Sequence, residues 1–200
     1  VPDEAAVRAA LEKSGRGRVC VEGNSVCTGG TQLDLGAIAK GAVGDEVMAC
    51  LKEQGVICAL VNLGGNILTL GEKADGSPWT IAVASPFGEG YAGRIEVGGG
   101  KAVATSSGAQ RYFEKDGVVY HHILDPETGY PARSGLALVT VIADDGLTAD
   151  ALSTALFVAG EVQAARILEE QYPKVGAVLI RDDGSIRTLG DVCFTEEAGA

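Results

Sequence analysis

Apolar residues in this chain recur every three or four positions in some stretches and fall in short continuous runs in others. The first pattern predicts four helical segments, at residues 3–13, 33–55, 146–160 and 161–173. The second segment should bury a stripe formed by Ile38, Val43, Val47 and Leu51, and the third has Thr148 as a candidate N-cap. Acidic residues at the start of the first segment suit the positive end of a helix dipole.

The short apolar runs predict β-strands, separated by glycine-rich turns. Gly64 and Gly65 interrupt one run and predict a hairpin, and the Asp116-Gly117 pair predicts another. A further Asp-Gly pair at 183–184 predicts a third hairpin near the end of the chain. The runs lie at 17–23, 25–30, 56–71, 78–86, 93–107, 111–125, 136–145 and 176–190.

The order of these segments indicates the fold class. The chain passes twice from a strand into a helix and then into a group of strands, although no sequence repeat is clear. This order predicts an α+β fold with two related halves and mostly antiparallel sheets. A chain of 200 residues that is 46% hydrophobic can form one packed domain, which we take to span 1–200.

Charge excludes some classes of partner. The formal net charge is −11 and basic residues are not clustered, so we expect no binding to nucleic acid and no contact of this segment with an anionic membrane. A phosphorylated small molecule remains compatible, provided that a metal ion or residues such as Lys40 and Arg111 supply local positive charge.

Asp150 and Thr154 are the first candidates for chemistry. They are four residues apart in a predicted helix, so a carboxylate and a hydroxyl project from one face. Such oxygen donors suit Mg²⁺, and Ser153 lies close enough to assist. The alternative is an acidic first-turn residue beside a small residue on a buried helix, which spacing alone favours.

The stretch LDLGAIAKG at 33–41 is a second candidate. Asp34 follows strand-like residues and Lys40 begins a helix, a place where main-chain groups can meet a ligand, although an ordinary capped helix would look the same. A Walker motif is excluded because Ala42 stands where lysine is needed. The polar turns at 62–66 and 104–108 could line a pocket, but strand-to-strand turns are the favoured interpretation.

Both histidines of the chain lie in HHILDPETGYP, at residues 121–131. Imidazole titrates near neutral pH, and the following Asp-Pro and Thr-Gly pairs indicate a rigid turn that would hold it in place. Successive strand residues point to opposite faces, so His121 and His122 cannot both face one site. The pattern does not decide between them.

Taken in order, the segments LDLGAIAKG, NLGGNI, ATSSGAQRYFEKDG, HHILDPETGYP and TADALSTALFV resemble the FAD:protein FMN transferase family, also called ApbE-type. The resemblance runs from about residue 30 to residue 160. It implies Mg²⁺-dependent cleavage of the FAD pyrophosphate, attachment of FMN to a Thr or Ser of a target flavoprotein, and release of AMP.

The resemblance also implies site residues. His122 matches the catalytic base, Asp34, Lys40 and Ile123 match positions that contact FAD, and the Mg²⁺ ligands fall on Asp150, Thr154 and the main-chain carbonyl of Ala37.

Family members usually carry a further segment before the first of these motifs. The resemblance therefore implies that this chain is a truncated or trimmed form that lacks the N-terminal part of the family domain. It also implies an extracytoplasmic location, with a lipid anchor in the intact protein. Two other activities remain open: an FAD pyrophosphatase that uses water as acceptor, and a module that binds FAD or a partner without catalysis.

Overall fold

The computed structural model describes residues 1–197, which form three helices and thirteen strands. The helices are α1 (Glu4–Leu11), α2 (Ala39–Glu53) and α3 (Gly146–Gln171), with a short 3-10 turn at Arg16–Arg18. The strands are β1 (Cys20–Glu22), β2 (Ser25–Cys27), β3 (Ala59–Leu63), β4 (Asn66–Leu70), β5 (Trp79–Ala84), β6 (Tyr91–Val97), β7 (Ala102–Ser107), β8 (Tyr112–Lys115), β9 (Val118–His121), β10 (Leu136–Ala143), β11 (Gly176–Arg181), β12 (Ile186–Leu189) and β13 (Cys193–Glu196).

Every pair of neighbouring strands within residues 1–197 is antiparallel. Six strands form the main sheet in the order β12-β11-β10-β7-β4-β3, and three form a second sheet in the order β13-β6-β5. The remaining strands pair as the hairpins β1-β2 and β8-β9. At the tip of β8-β9 both Asp116 and Gly117 have positive φ, as a two-residue hairpin turn requires, so that predicted hairpin is confirmed.

The main sheet separates two hydrophobic layers. Helices α2 and α3 cover one face, where Val139 and Val141 of β10 meet Leu156 and Phe157 of α3. The second sheet covers the other face, and strand alternation turns Leu138 of β10 toward it. The predicted α+β class with antiparallel sheets is therefore confirmed.

The two related halves are visible in the main sheet. The hairpin that follows α2 (β3-β4) extends the sheet beyond β7, and the hairpin that follows α3 (β11-β12) extends it beyond β10 on the opposite side. The halves differ before their helices: β10 leads into α3 from the main sheet, whereas β2 belongs to the separate β1-β2 hairpin.

The predicted apolar stripe of α2 is correct only in part: Leu51 packs against the core, but the fully buried residues of the helix are different ones. Its buried residues are Gly41, Gly44 and Met48, whereas Val43 is 54% exposed. A Cβ at Gly44 would lie 2.5 Å from a methyl carbon of Leu68, so the helix packs through its small residues. Hydrophobicity cannot reveal such a face, because glycine contributes close approach and not apolar area.

The start of α3 also corrects the sequence analysis. Asp145, not Thr148, is the N-cap, and its Oδ1 accepts a hydrogen bond of 2.7 Å from the Thr148 amide. The two predicted helices at 146–160 and 161–173 adjoin at Gly160, where φ is 76° and ψ is 167°. By length and composition α3 would suit a membrane span, but in this fold it is a core helix that packs on the main sheet.

Candidate functional site

The first turns of α2 and α3 cross in close contact. A Cβ at Gly41 would lie 2.1 Å from the carbonyl oxygen of Gly146, so only glycine fits there. Asp45 of α2 accepts hydrogen bonds from the Gly146 amide at 2.6 Å and the Leu147 amide at 2.9 Å. We call this contact the α2–α3 crossing. It satisfies amides at the start of α3 that have no partner within the helix.

Asp150 makes the reciprocal contact. Its Oδ2 accepts a hydrogen bond of 2.9 Å from the Gly41 amide, and the residue is only 4% exposed. None of the ion pairs among residues 1–197 involves Asp150, and its Oδ1 accepts no hydrogen bond within that range. A buried carboxylate is costly unless a positive group compensates it. Helix dipoles offer part of that compensation, and a cation at Oδ1 would offer the rest.

This contact also affects the carbonyl of Ala37. In a regular helix the Gly41 amide would donate to the residue four positions earlier, which is Ala37. It donates to Asp150 instead, whereas the next amide, Ala42, donates normally to Ile38 at 3.0 Å. The Ala37 carbonyl therefore receives no hydrogen bond from Gly41, which leaves it available as an oxygen ligand.

Thr154 lies one turn after Asp150 on α3. Its Oγ1 is 3.0 Å from the hydroxyl of Ser106 on β7, which is in turn 2.8 Å from the hydroxyl of Ser153. Ser153 donates a hydrogen bond of 2.9 Å to the main-chain carbonyl of Asp150. These three hydroxyls tie the Asp150 turn of the helix to the main sheet.

The oxygen atoms around the crossing fit a hard divalent cation. Asp150 and Thr154 lie one turn apart on α3, and Gly41, whose amide binds Asp150, follows the Ala37 carbonyl by four residues. Three protein oxygens leave the other positions of an octahedron to water and phosphate, as Mg²⁺ prefers. Within residues 1–197 no group of three or more His, Cys, Asp or Glu side chains is placed to hold a metal, so such a site would combine the single carboxylate of Asp150 with neutral oxygen donors.

The segment 121–131, which we call the histidine turn, begins at the end of β9. Asp125 organises it: its Oδ1 accepts from the Glu127 amide at 2.8 Å, and its carbonyl accepts from the Gly129 amide at 2.8 Å. Leu124 and Pro131 close the segment by bridging to each other. The rigid turn predicted from the Asp-Pro and Thr-Gly pairs is therefore confirmed.

His121 is the structural member of the pair. It is 8% exposed, and its ring packs edge-on against Phe157 of α3 with the centroids 5.7 Å apart. Nε2 lies 3.1 Å from the Ala132 carbonyl, which can only accept, so Nε2 carries the proton. Burial lowers the pKa of His121, and the nearby Arg133 lowers it further. This neutral ring anchors the histidine turn to α3, three residues beyond Thr154.

His122 is exposed, which confirms that the two imidazoles face different surroundings. Its ring Nδ1 lies 3.3 Å from the carbonyl oxygen of Arg111, and its amide donates to the same oxygen at 3.1 Å. Because a carbonyl only accepts, Nδ1 must hold the proton in that contact. In the neutral ring Nε2 then carries no proton, and it can accept one from a substrate. A cavity of about 410 Å³ lies on the side of His121, and His122 is not among its lining residues.

The three residues assigned to FAD have different surroundings. Lys40 is exposed in the first turn of α2, beside the α2–α3 crossing. Asp34 is exposed and accepts a hydrogen bond of 2.7 Å from the Gly36 amide, which shapes the loop before α2. The side chain of Ile123 is 6% exposed and packs in the core, so a ligand would reach only its main chain. Their assignment to FAD remains a prediction.

Two residues at this site were missed by sequence reasoning. Ser106 belongs to the 104–108 segment interpreted as a turn, but β7 covers that segment up to Ser107. Asn66 is 3% exposed and its Nδ2 has no partner among residues 1–197. Alternation along β4 places Asn66 on the helix-facing side with Leu68, which packs on Gly44. The preceding turn at 64–65 is the strand-to-strand turn that was favoured.

Comparisons with known proteins identify relatives in one family. The model of the ApbE family matches residues 1–179. The chain is 42% identical over 178 residues to an FAD:protein FMN transferase of Klebsiella pneumoniae, covering 86% of this chain and 54% of the relative. It is 40% identical over 172 residues to the FAD:protein FMN transferase of Treponema pallidum, covering 82% of this chain and 47% of the relative.

Solved structures give the same result. The crystal structure of the ApbE protein of Thermotoga maritima superposes with a TM-score of 0.86 at 37% identity, covering 94% of this chain and 62% of that one. The flavin transferase ApbE of Vibrio cholerae superposes with a TM-score of 0.81 at 33% identity, covering 94% and 61%. The chain thus spans about half the length of the curated relatives it matches. On this evidence, the chain belongs to the ApbE family.

Proposed function

We propose that this chain is an FAD:protein FMN transferase, which cleaves FAD and attaches FMN to a hydroxyl of a target flavoprotein. The observation that carries the proposal is the α2–α3 crossing, where the buried Asp150 carboxylate, which forms no ion pair within residues 1–197, lies one turn from the Thr154 hydroxyl. Membership of the ApbE family and the names of the relatives at 42% and 40% identity support the same activity.

The proposed reaction exchanges one phosphorus–oxygen bond for another. The acceptor hydroxyl oxygen attacks the phosphorus of the FMN half, and the bond from that phosphorus to the bridging oxygen breaks. The bridging oxygen leaves with AMP, and FMN becomes attached as a phosphate ester. The hydroxyl proton passes to Nε2 of His122, which the Nδ1 contact with Arg111 keeps free. A positioned general base typically contributes about 10²–10⁴-fold to the rate.

The protein must also manage the charge of the diphosphate. Ala37, Asp150 and Thr154 would hold Mg²⁺, which when bound neutralises negative charge on phosphate oxygens. Lys40 lies beside the crossing and adds a positive charge from the chain itself. We assign Asp34 and the main chain of Ile123 to contacts with the nucleotide, as the family resemblance implies.

The proposal extends to partners and location. The acceptor would be a flavoprotein that presents a Thr or Ser hydroxyl near the exposed face of His122. Family resemblance supports an extracytoplasmic location. The net charge of −11 supports partners other than nucleic acid or an anionic membrane.

The test is incubation of the purified chain with FAD, Mg²⁺ and a Thr-bearing flavoprotein domain, with the Thr→Val form of that domain as the matched control. We expect mass spectrometry to show an FMN adduct on the Thr form only, with equimolar AMP. Omission of Mg²⁺ with added chelator should stop both products.

Other outcomes point to the alternative activities. AMP and free FMN without an adduct would indicate an FAD pyrophosphatase. Binding of FAD without either product would indicate a non-catalytic module. Either result contradicts the transferase proposal.

A further inference from the structure

We infer that Ser106 is a positioning residue, which aims the lone pairs of the Thr154 hydroxyl at the cation site. The inference rests on the proposed function, since it assumes that Thr154 is a metal ligand. It depends on a different observation, the direction of the hydrogen bonds that connect Ser106, Ser153 and Thr154.

The direction of hydrogen-bond donation is fixed at one end of this series of three hydroxyls. A serine or threonine hydroxyl has one proton to donate and two lone pairs that accept. The oxygen of Ser153 lies 2.9 Å from the main-chain carbonyl of Asp150, and a carbonyl can only accept. Ser153 is 1% exposed, so no bulk water competes for that proton. The proton of Ser153 is therefore committed to Asp150.

The remaining protons follow in order. Ser106 lies 2.8 Å from Ser153, whose proton is already used, so Ser106 must donate to it. Thr154 lies 3.0 Å from Ser106, whose proton is now also used, so Thr154 must donate to Ser106. The Thr154 proton consequently points at β7, and both lone pairs of its oxygen are left for other partners.

This arrangement suits a hydroxyl that binds a cation. Such a hydroxyl must offer a lone pair and keep its proton away from the metal, which repels the positive end of the O–H dipole. Without Ser106 the proton would be free to rotate, and a helical threonine has its own i−4 carbonyl as an alternative acceptor. Loss of such an outer partner typically weakens metal binding by about 10–100-fold.

The neighbouring hydroxyl provides a matched control. Ser107 is next on the same strand but faces the other side, where it donates to the Ala137 carbonyl at 2.9 Å and accepts from the Ala109 amide at 3.1 Å. Removal of either serine hydroxyl removes hydrogen bonds between β7 and its neighbours. Only Ser106 contacts Thr154, so a purely structural role predicts similar effects for the two residues.

The experiment measures Mn²⁺ binding to the full chain by the electron paramagnetic resonance signal of free Mn²⁺, without FAD. We expect Ser106→Ala to raise the Kd by about 10–100-fold, Ser106→Thr to restore it to within about threefold, and Ser107→Ala to leave it unchanged. In a Thr154→Val background, Ser106→Ala should have no further effect. Thermal unfolding monitors the fold of each variant.

If Ser106→Ala fails to fold, Ser153→Ala tests the same series of hydrogen bonds from Thr154 through Ser106 to Ser153. It frees the Ser106 proton from its fixed direction, so we expect a smaller rise in the Kd. The inference is overturned if the wild type binds Mn²⁺ and the folded Ser106 and Ser153 variants bind it equally well, or if Ser106→Ala weakens binding as much in the Thr154→Val background. Failure of the wild type to bind Mn²⁺ would instead refute the proposed metal site itself.

Discussion

The α2–α3 crossing and the exposed surface around His122 differ in how firmly the fold holds their side chains. At the crossing, Asp150 is 4% exposed and the Thr154 oxygen is fixed through Ser106 to the main sheet. On the surface, His122 and Lys40 are exposed, and the only hydrogen bond of the His122 ring among residues 1–197 is to the Arg111 carbonyl.

This difference indicates a division of labour. A metal site needs ligands held within a few tenths of an ångström, which buried helices and strands provide. A base that accepts a proton from another protein must remain accessible until that protein arrives. The buried side of the proposed site is thus preorganised, and the exposed side is completed by its substrates. Substitutions that change one side without the other can therefore separate the two roles.

The largest effect is expected from Asp150→Asn. The asparagine oxygen can still accept the hydrogen bond from Gly41, so the crossing should remain folded, but the negative charge that binds the cation is lost. We expect no measurable Mn²⁺ binding and a loss of transfer on the order of 10³-fold or more, since a bound metal supplies several kcal/mol of charge stabilisation.

The matched variant for this test is Asp144→Asn, two residues before α3. Asp144 is an exposed carboxylate that pairs with Lys101 at 2.6 Å and does not contact the crossing. It should keep both metal binding and transfer. If Asp150→Asn retained metal affinity, the buried carboxylate would have a purely structural role.

A smaller loss of activity is expected from His122→Ala. Removal of the imidazole should lower the rate of FMN transfer by about 10²–10³-fold. This is the lower part of the range for a general base, as expected for an exposed ring. Binding of Mn²⁺ and the free energy of unfolding should not change, because the side chain contributes nothing to the core. Equal transfer rates in the variant and the wild type would contradict the role of base, and a parallel loss of metal binding would contradict the separation of the two sides.

Sequence patterns could predict the elements whose signals are local. The hairpin turns at 64–65 and 116–117 were predicted because their residues tolerate positive φ, and the antiparallel class followed from them. The buried face of α2 was predicted only in part, through Leu51, because Gly41 and Gly44 pack by main-chain proximity, which carries no hydrophobic signal. The N-cap of α3 was predicted at Thr148, but two aspartates precede Gly146 and the second of them, Asp145, caps the helix.

The site was predictable only in part, for a related reason. Spacing alone favoured an ordinary buried helix for Asp150 and Thr154, and only the ordered family motifs indicated a metal. Ser106 was missed because its role depends on which strand lies beside which helix, and the burial of Asn66 depends on the same packing. The pairing of β7 with β10 and its contact with α3 join residues that lie 47 and 48 positions apart in the sequence.

The smallest effect concerns the anchor of the histidine turn and appears in stability. Burial lowers the pKa of His121 below its ordinary value of 6.5, so below pH 6.5 the unfolded chain takes up a proton more readily than the folded chain. Burial of the neutral His121 ring therefore contributes to the free energy of unfolding. This contribution should be complete above pH 6.5 and should decline as the pH falls below 6.5. Urea unfolding at pH 7.5 and pH 5.5 measures the loss, which His121→Gln should reduce and His122→Gln should leave unchanged.

The chosen window avoids the other strongly shifted group near α3. Arg181 and Arg187 lower the pKa of Glu161 from 4.5 to about 2, so the stability linked to that carboxylate is lost only below pH 4.5. A decline between pH 7.5 and 5.5 that persisted in His121→Gln would have to come from another group, and His121 would then not anchor the turn as a neutral ring. If the decline disappears, the neighbouring imidazoles have opposite tasks: His121 must stay neutral to hold the turn on α3, whereas His122 must take up a proton to promote transfer.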